Sequence, residues 1–164
     1  MIYFDTSYLV RLYYQDPGAD AVRVLAATDH VASATHGQAE MVAAFHRKLR
    51  EGVIRPAAYN ALLAQLRAHI EAGAFQWLAQ DQEVFLRIRH VYQKLPATVF
   101  LRAADAIHLA TASEAGFRII YSNDAHLTYG RFLDFHYSLQ FPNPGESSCF
   151  SPEIVRLIRL SSPI

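Results

Sequence analysis

The sequence predicts an α/β fold with a central, mostly parallel sheet of about four to five strands. Short apolar segments of β-forming residues alternate with longer segments of helical periodicity, which is typical of parallel strands joined by crossover helices. The 164 residues are 52% hydrophobic and 18% charged, so they suit one domain with a buried core and exclude a disordered chain. In such a fold, ligands bind outside the carboxyl ends of the strands.

The first half of the chain begins with a strand over Ile2–Phe4, an apolar run that Asp5 ends. Thr6 or Ser7 is expected to cap the helix that follows, and the Asp-Pro-Gly sequence at residues 16–18 ends it. The other elements predicted here are a helix over 19–28, a weak strand over 30–33, a helix over 36–51 capped by Thr35, and an amphipathic helix beginning at Pro56.

The second half continues the alternation of strands and helices. It predicts a strand over 75–78, a strongly amphipathic helix that Pro96 ends, a helix over 102–115 that stops at Gly116, and a strand over 118–121. A short helix over 125–132 and a last strand over 135–141 are expected to follow. Residues 1–141 would then form the domain, with residues 142–164 as a C-terminal extension of a turn and a short helix.

The composition excludes several classes of protein. Fifteen Lys and Arg cancel fifteen Asp and Glu, which argues against binding nucleic acid by bulk charge, although a local basic groove stays open. The single cysteine, Cys149, excludes a disulfide framework and a multi-cysteine zinc site. Because the chain has no apolar run of membrane-spanning length and no signal peptide, we expect a soluble cytoplasmic domain that does not bind membranes.

Four acidic residues stand at positions where a ligand site is expected. Asp5 and Asp124 follow predicted strands, whereas Glu40 and Asp105 lie near the starts of apolar helices, beside small alanines. Four carboxylates in one cleft would raise one another's pKa, and a hard divalent cation removes that penalty. One or two Mg²⁺ or Mn²⁺ ions held in this way can activate water for hydrolysis of a phosphodiester.

Nearby polar residues have both a structural and a functional interpretation. His108 lies one helical turn after Asp105, so it orients that carboxylate, donates to a phosphate or is a packed core histidine. Arg102, three residues before Asp105, either pairs with it or contacts a phosphate of a nucleic acid. The weak candidates for RNA contacts are Arg11, Arg47 and Arg102.

Four segments together resemble the PIN-domain ribonuclease family, and in particular the VapC-type toxins of bacterial toxin–antitoxin pairs. The segments are MIYFDTSYLVRLY, THGQAEMVAAFHRKL, LRAADAIHLATA and YSNDAHL. The resemblance implies a PIN-like α/β/α sandwich and a metal-dependent endoribonuclease that uses Mg²⁺ or Mn²⁺. It also implies a homodimer that is silenced by a small antitoxin protein. The sequence after Asp124 departs from the family pattern, which leaves the end of the domain open.

The resemblance assigns roles to individual residues. Asp5, Glu40, Asp105 and Asp124 match the four family acids as catalytic and metal-binding residues. Supporting roles are expected for Thr6 or Ser7, which follow the first acid, and for Ser122, Asn123 and His108.

Two other functions remain open at this point. A phosphatase or phosphoacceptor domain built on Asp5 is the less favoured, because no second carboxylate stands two residues on. In addition, neither Lys48 nor Lys94 follows a predicted strand, where a phosphate-binding lysine should lie. A PIN-like module that binds a partner without catalysis is the other alternative.

Overall fold

A central sheet of four parallel strands organises the part of the chain that the computed structural model describes, residues 1–124. The strand order is β3-β2-β1-β4. The elements in chain order are β1 (Ile2–Phe4), α1 (Thr6–Tyr13), α2 (Ala19–Ala26), β2 (Val31–Ala34), α3 (Gly37–Arg50), α4 (Pro56–Glu71), β3 (Gln76–Leu78), α5 (Gln82–Lys94), α6 (Ala103–Glu114) and β4 (Ile120–Tyr121). This arrangement confirms the predicted α/β fold class.

Strand β1 lies in the interior of the sheet, between β2 and β4. Tyr3 is in register with Ala32 on one side and with Ile120 on the other. Because all pairings are parallel, every strand ends at the same edge of the sheet. The residues that follow β1, β2 and β4 are therefore brought together there.

Two apolar clusters cover the two faces of the sheet. Tyr3 belongs to one cluster and Phe4 to the other, as expected for neighbouring residues of a strand, which point to opposite faces. The Tyr3 cluster takes its helical residues from α5 and α6, and the Phe4 cluster takes them from α1, α2, α3 and α4. The helices thus form two layers around the sheet.

The helix starts differ from the predictions in two places. Asp5, not Thr6 or Ser7, is the N-cap of α1, and its carboxylate accepts a hydrogen bond from the backbone N–H of Tyr8. Because β1 leads directly into α1, the extended residue between them is the acid. The N-cap of α3 is His36, whose side chain makes no capping hydrogen bond, and not the predicted Thr35. The Thr35 hydroxyl donates to the backbone oxygen of Leu78 at the end of β3.

The other element ends agree with the predictions to within two residues. The predicted helix over 19–28 ends at Ala26, and the strand predicted over 118–121 begins at Ile120. The helix predicted over 125–132, the strand over 135–141 and the extension over 142–164 lie outside the described residues. Within residues 1–124, no helix has both the length and the hydropathy required to cross a membrane.

Candidate active site at the carboxyl edge of the sheet

Asp5 is a buried carboxylate surrounded by hydrogen-bond donors. Its side chain is at the end of β1 and the residue is 3% exposed. Ser7 donates to Oδ1 at 2.6 Å, Ser122 donates to Oδ2, and the backbone N–H of Tyr8 donates to Oδ1 at 3.1 Å. Burial raises the pKa of Asp5, although the nearby His108 and these three donors act in the opposite direction.

Two serine hydroxyls link this carboxylate to the segment after β4. Ser7 Oγ accepts a hydrogen bond from the backbone N–H of Asn123 at 3.0 Å. Ser122 Oγ accepts one from the backbone N–H of Asp124 at 2.9 Å. The orientation of Asp5 and the backbone at Asp124 are therefore coupled through two hydroxyl groups.

Glu40, in the first turn of α3, has different partners. Thr6 donates to its Oε2 at 2.5 Å, and the same oxygen lies 3.0 Å from Nε2 of His108 and 3.4 Å from Nε2 of His36. Burial opposes ionisation of Glu40, but the hydrogen bonds from His108 and Thr6 outweigh it and lower its pKa to about 2. Glu40 is therefore an ionised carboxylate at neutral pH.

His108 is a core histidine that contacts Glu40. It is 2% exposed, its Nδ1 lies 2.8 Å from the hydroxyl of Tyr3, and its Nε2 lies 3.2 Å from Oγ1 of Thr6. Of the interpretations drawn from the sequence, the burial of His108 agrees with a packed core histidine and not with one that orients Asp105, one turn earlier on the same helix. In the structure its ring nitrogens face Tyr3, Thr6 and Glu40, because the ring points toward the ends of β1 and β2.

His36 completes this group. Its ring centroid lies 4.3 Å from that of His108. Burial and the neighbouring His108 lower the pKa of His36 to about 4, so the imidazole is neutral at neutral pH. Within residues 1–124, both ring nitrogens are buried and neither makes a hydrogen bond of ordinary geometry, although a contact with the backbone of Ala104 favours the protonated form of the ring.

Arg102 holds the other two acids. Its Nε donates to Oδ2 of Asp105 at 2.7 Å, and its Nη2 donates both to Oδ1 of Asp105 at 3.0 Å and to Asp124. Asp105 is 4% exposed, whereas the Arg102 side chain is 46% exposed. Of the two interpretations drawn from the sequence, the structure shows Arg102 in the ion pair.

The other two arginine candidates lie further along their helices. Arg47 is in the last turn of α3, roughly 10 Å along the helix axis from Glu40. Arg11 is in the last turn of α1, with its guanidinium 5.9 Å from the ring centroid of Tyr8. Within the described chain neither forms a hydrogen bond or an ion pair with the four acids, so Arg102 alone of the three joins them.

One continuous chain of contacts connects all four predicted acids. Thr6, next to Asp5, contacts Glu40; Ser122 contacts Asp5 and the backbone of Asp124; and Arg102 joins Asp124 to Asp105. Carboxylate oxygens are the ligands that a hard divalent cation prefers, so the chemistry of these four side chains suits such an ion, although within residues 1–124 no three of them bring ligand atoms within 4.8 Å of one another.

Two residues of this edge were not identified from the sequence. His36 had a readable signal, since its spacing of four residues from Glu40 places both on one face of a helix. Tyr3 had no such signal in the sequence, because its position in an apolar strand does not indicate that its hydroxyl contacts a histidine 105 residues later.

The comparisons with known proteins agree with this architecture. The profile of one protein family, described as the PIN domain, matches residues 2–131 of the chain. Among curated proteins, none matches the chain.

Proposed function

The chain belongs to the PIN domain family, whose members are typically nucleases that use divalent metals, and on this premise we propose that it is a Mg²⁺- or Mn²⁺-dependent endoribonuclease. The observation that carries the proposal is that Asp5, Glu40, Asp105 and Asp124 are connected at one edge of the sheet, through hydrogen bonds and through the chain link between Asp5 and Thr6. That edge is where a parallel α/β sheet binds its ligands.

The four acids would hold one or two metal ions. A bound Mg²⁺ or Mn²⁺ ion supplies neutralisation of charge on the phosphoryl oxygens and a more acidic water molecule. The chain itself fixes the ligands: Ser7 and Ser122 orient the two oxygens of Asp5, and Thr6 orients Glu40. Ordered carboxylates of this kind reduce the reorganisation needed when substrate binds.

Arg102 is our candidate for the contact with an RNA phosphate. Its guanidinium already lies against Asp105 and Asp124, and its side chain is 46% exposed. A cation bound by these two carboxylates takes over their charge compensation, so the guanidinium becomes available to a phosphate. Arg11 and Arg47 are less suitable, since they stand in the last turns of their helices.

The decisive experiment compares RNA cleavage by the wild type with cleavage by Asp5→Asn, with EDTA, Mg²⁺ or Mn²⁺ present. We expect cleavage by the wild type only with metal, and a loss of at least about a hundredfold in Asp5→Asn. Asp20→Asn is the matched control, because the Asp20 side chain is 83% exposed on α2. Equal cleavage by wild type and Asp5→Asn would overturn the proposal, and an additional lack of Mn²⁺ binding would favour the partner-binding module.

We also propose that this nuclease is the toxin of a toxin–antitoxin pair and forms a homodimer. The resemblance of the four sequence segments to VapC-type toxins supports this, as do the exposed apolar residues Phe85 and Leu86 on α5. Induced expression should arrest growth, and Asp5→Asn should relieve the arrest. Light scattering should give twice the 18.5 kDa chain mass. Growth without arrest would contradict the toxin proposal, and the mass of a monomer would contradict the homodimer.

A further inference from the structure

A second group of metal-ligand atoms overlaps the acidic edge, because Glu40 belongs to both. His36 and Glu40 are on one face of α3, four residues apart, and His108 reaches them from α6. One ligand atom from each of the three residues lies within 4.8 Å of the other two. That spacing is small enough for a single ion to contact all three with little movement of the side chains.

The surroundings of the His36 ring also suit metal binding. The two nitrogens of His36 are buried without a hydrogen bond of ordinary geometry in the described chain. An ion bound there would satisfy Nε2 of His36, and a buried polar group without a well-formed bond otherwise costs free energy.

We propose that His36, Glu40 and His108 form a binding site for a transition-metal ion of the Zn²⁺ class. Two imidazole nitrogens and one carboxylate oxygen form a three-ligand set that leaves a fourth tetrahedral position open. Mg²⁺ prefers oxygen ligands, so this set selects against the ion that the four acids would hold. The inference goes beyond the proposed nuclease activity, because ion binding here requires neither RNA nor catalysis.

Tyr3 and Thr6 supply the surroundings that such a site needs. The hydroxyl of Tyr3 lies 2.8 Å from Nδ1 of His108, so it can accept the Nδ1 proton and leave the Nε2 lone pair for the ion. Thr6 donates to Oε2 of Glu40 and thereby restricts the rotation of that carboxylate. Binding exchanges the contact between His108 and Glu40 for two bonds to the metal.

The test is a titration of the full-length, EDTA-treated protein with Zn²⁺ by calorimetry and with Co²⁺ by visible absorption. We expect saturable Zn²⁺ binding and the strong d–d bands of tetrahedral Co²⁺ in the wild type. His36→Gln should lower the affinity of this site by more than about a hundredfold and remove those bands. The variant should fold, since the His36 ring makes no hydrogen bond of ordinary geometry in the described chain. If circular dichroism shows otherwise, His36→Asn takes its place, which leaves the four acids unchanged.

Two control variants make the outcome specific. His90→Gln changes an exposed histidine of α5 and should leave Zn²⁺ binding as in the wild type. Asp5→Asn should also retain it, because Asp5 belongs to the carboxylate site. Wild-type Zn²⁺ affinity in His36→Gln would overturn this inference and leave the nuclease proposal intact. Loss of RNA cleavage in Asp5→Asn together with retained Zn²⁺ binding would support both proposals independently.

Discussion

Arg102 forms a two-pronged ion pair with Asp105, in which Nε lies 2.7 Å from Oδ2 and Nη2 lies 3.0 Å from Oδ1. The same Nη2 also donates to Asp124. Asp105 is 4% exposed, and a carboxylate buried to this extent requires a compensating charge. The guanidinium therefore stabilises, in the metal-free chain, the two acids that a metal ion would otherwise neutralise.

Replacing Arg102 by Met should make the folding of the chain depend on metal. In EDTA, we expect Arg102→Met to lower the free energy of unfolding by about 1–3 kcal/mol, because buried Asp105 loses its partner. Added Mg²⁺ should raise the melting temperature of the variant more than that of the wild type, since the ion replaces the lost charge. Thermal denaturation with and without Mg²⁺ measures both effects.

The control for this prediction is Arg67→Met. Arg67 and Glu71 form an ion pair at 3.9 Å on α4, with side chains 76% and 70% exposed. Loss of such a pair should change stability by less than about 1 kcal/mol, with no special response to Mg²⁺. If Arg102→Met behaves like Arg67→Met, the guanidinium does not provide the charge compensation described here.

Asp5→Asn should stabilise the metal-free protein increasingly as pH rises. Burial raises the pKa of Asp5, so the folded chain holds this proton more tightly than the unfolded chain. Stability that depends on this proton is lost as the pH rises from the unfolded pKa toward the higher folded one. The melting temperature of Asp5→Asn minus that of the wild type, measured in EDTA from about pH 3 to pH 7, should therefore increase. A difference that is constant or falls with pH would contradict the direction of the shift, and Asp20→Asn serves as the exposed control.

Ser7→Ala should move the acidic limb of the pH–activity profile to higher pH. Ser7 donates to Asp5 at 2.6 Å, and removing this donor destabilises the ionised carboxylate and further raises the pKa of Asp5. Ser33→Ala is a suitable control, because Ser33 is fully buried and its hydroxyl lacks a hydrogen-bond partner in the described residues. Identical profiles for the two variants would show that Ser7 does not control the ionisation of Asp5.

The fold was predictable from local pattern because its strands are short apolar runs and its helices carry clear periodicity. The exact first residue of each helix was not predictable. Asp5, Thr6 and Ser7 are all good N-cap residues, and only the path of the chain from β1 selects the acid. Periodicity also overstates burial at the margins of a helix. Phe85 and Val42 fit the apolar pattern of α5 and α3, yet they are 51% and 39% exposed.

The site was predictable only in part, for a physical reason. Positions at strand ends and helix starts follow from local sequence, and this is how the four acids were found. Their partners depend on contacts between distant residues: Ser122 reaches Asp5 across 117 positions, and Thr6 reaches Glu40 across 34. No periodicity encodes such pairs, so the proximity of Glu40 to two histidines emerged only from the folded chain.

Tyr3→Phe should weaken Zn²⁺ binding by about tenfold and leave the fold intact. Tyr3 is fully buried and its hydroxyl lies 2.8 Å from Nδ1 of His108, so the change preserves the packing of the ring but removes the group that orients the histidine. Calorimetric titration with Zn²⁺ and thermal denaturation in EDTA measure the two effects, and we expect a stability loss of about 1 kcal/mol.

Tyr92→Phe is the matched control, because the Tyr92 hydroxyl donates to the backbone oxygen of Leu101 at 2.8 Å, away from the three proposed ligands. It should lose some stability and keep the wild-type affinity for Zn²⁺. An equal loss of affinity in both variants would mean that general destabilisation, not orientation of His108, accounts for the effect of Tyr3.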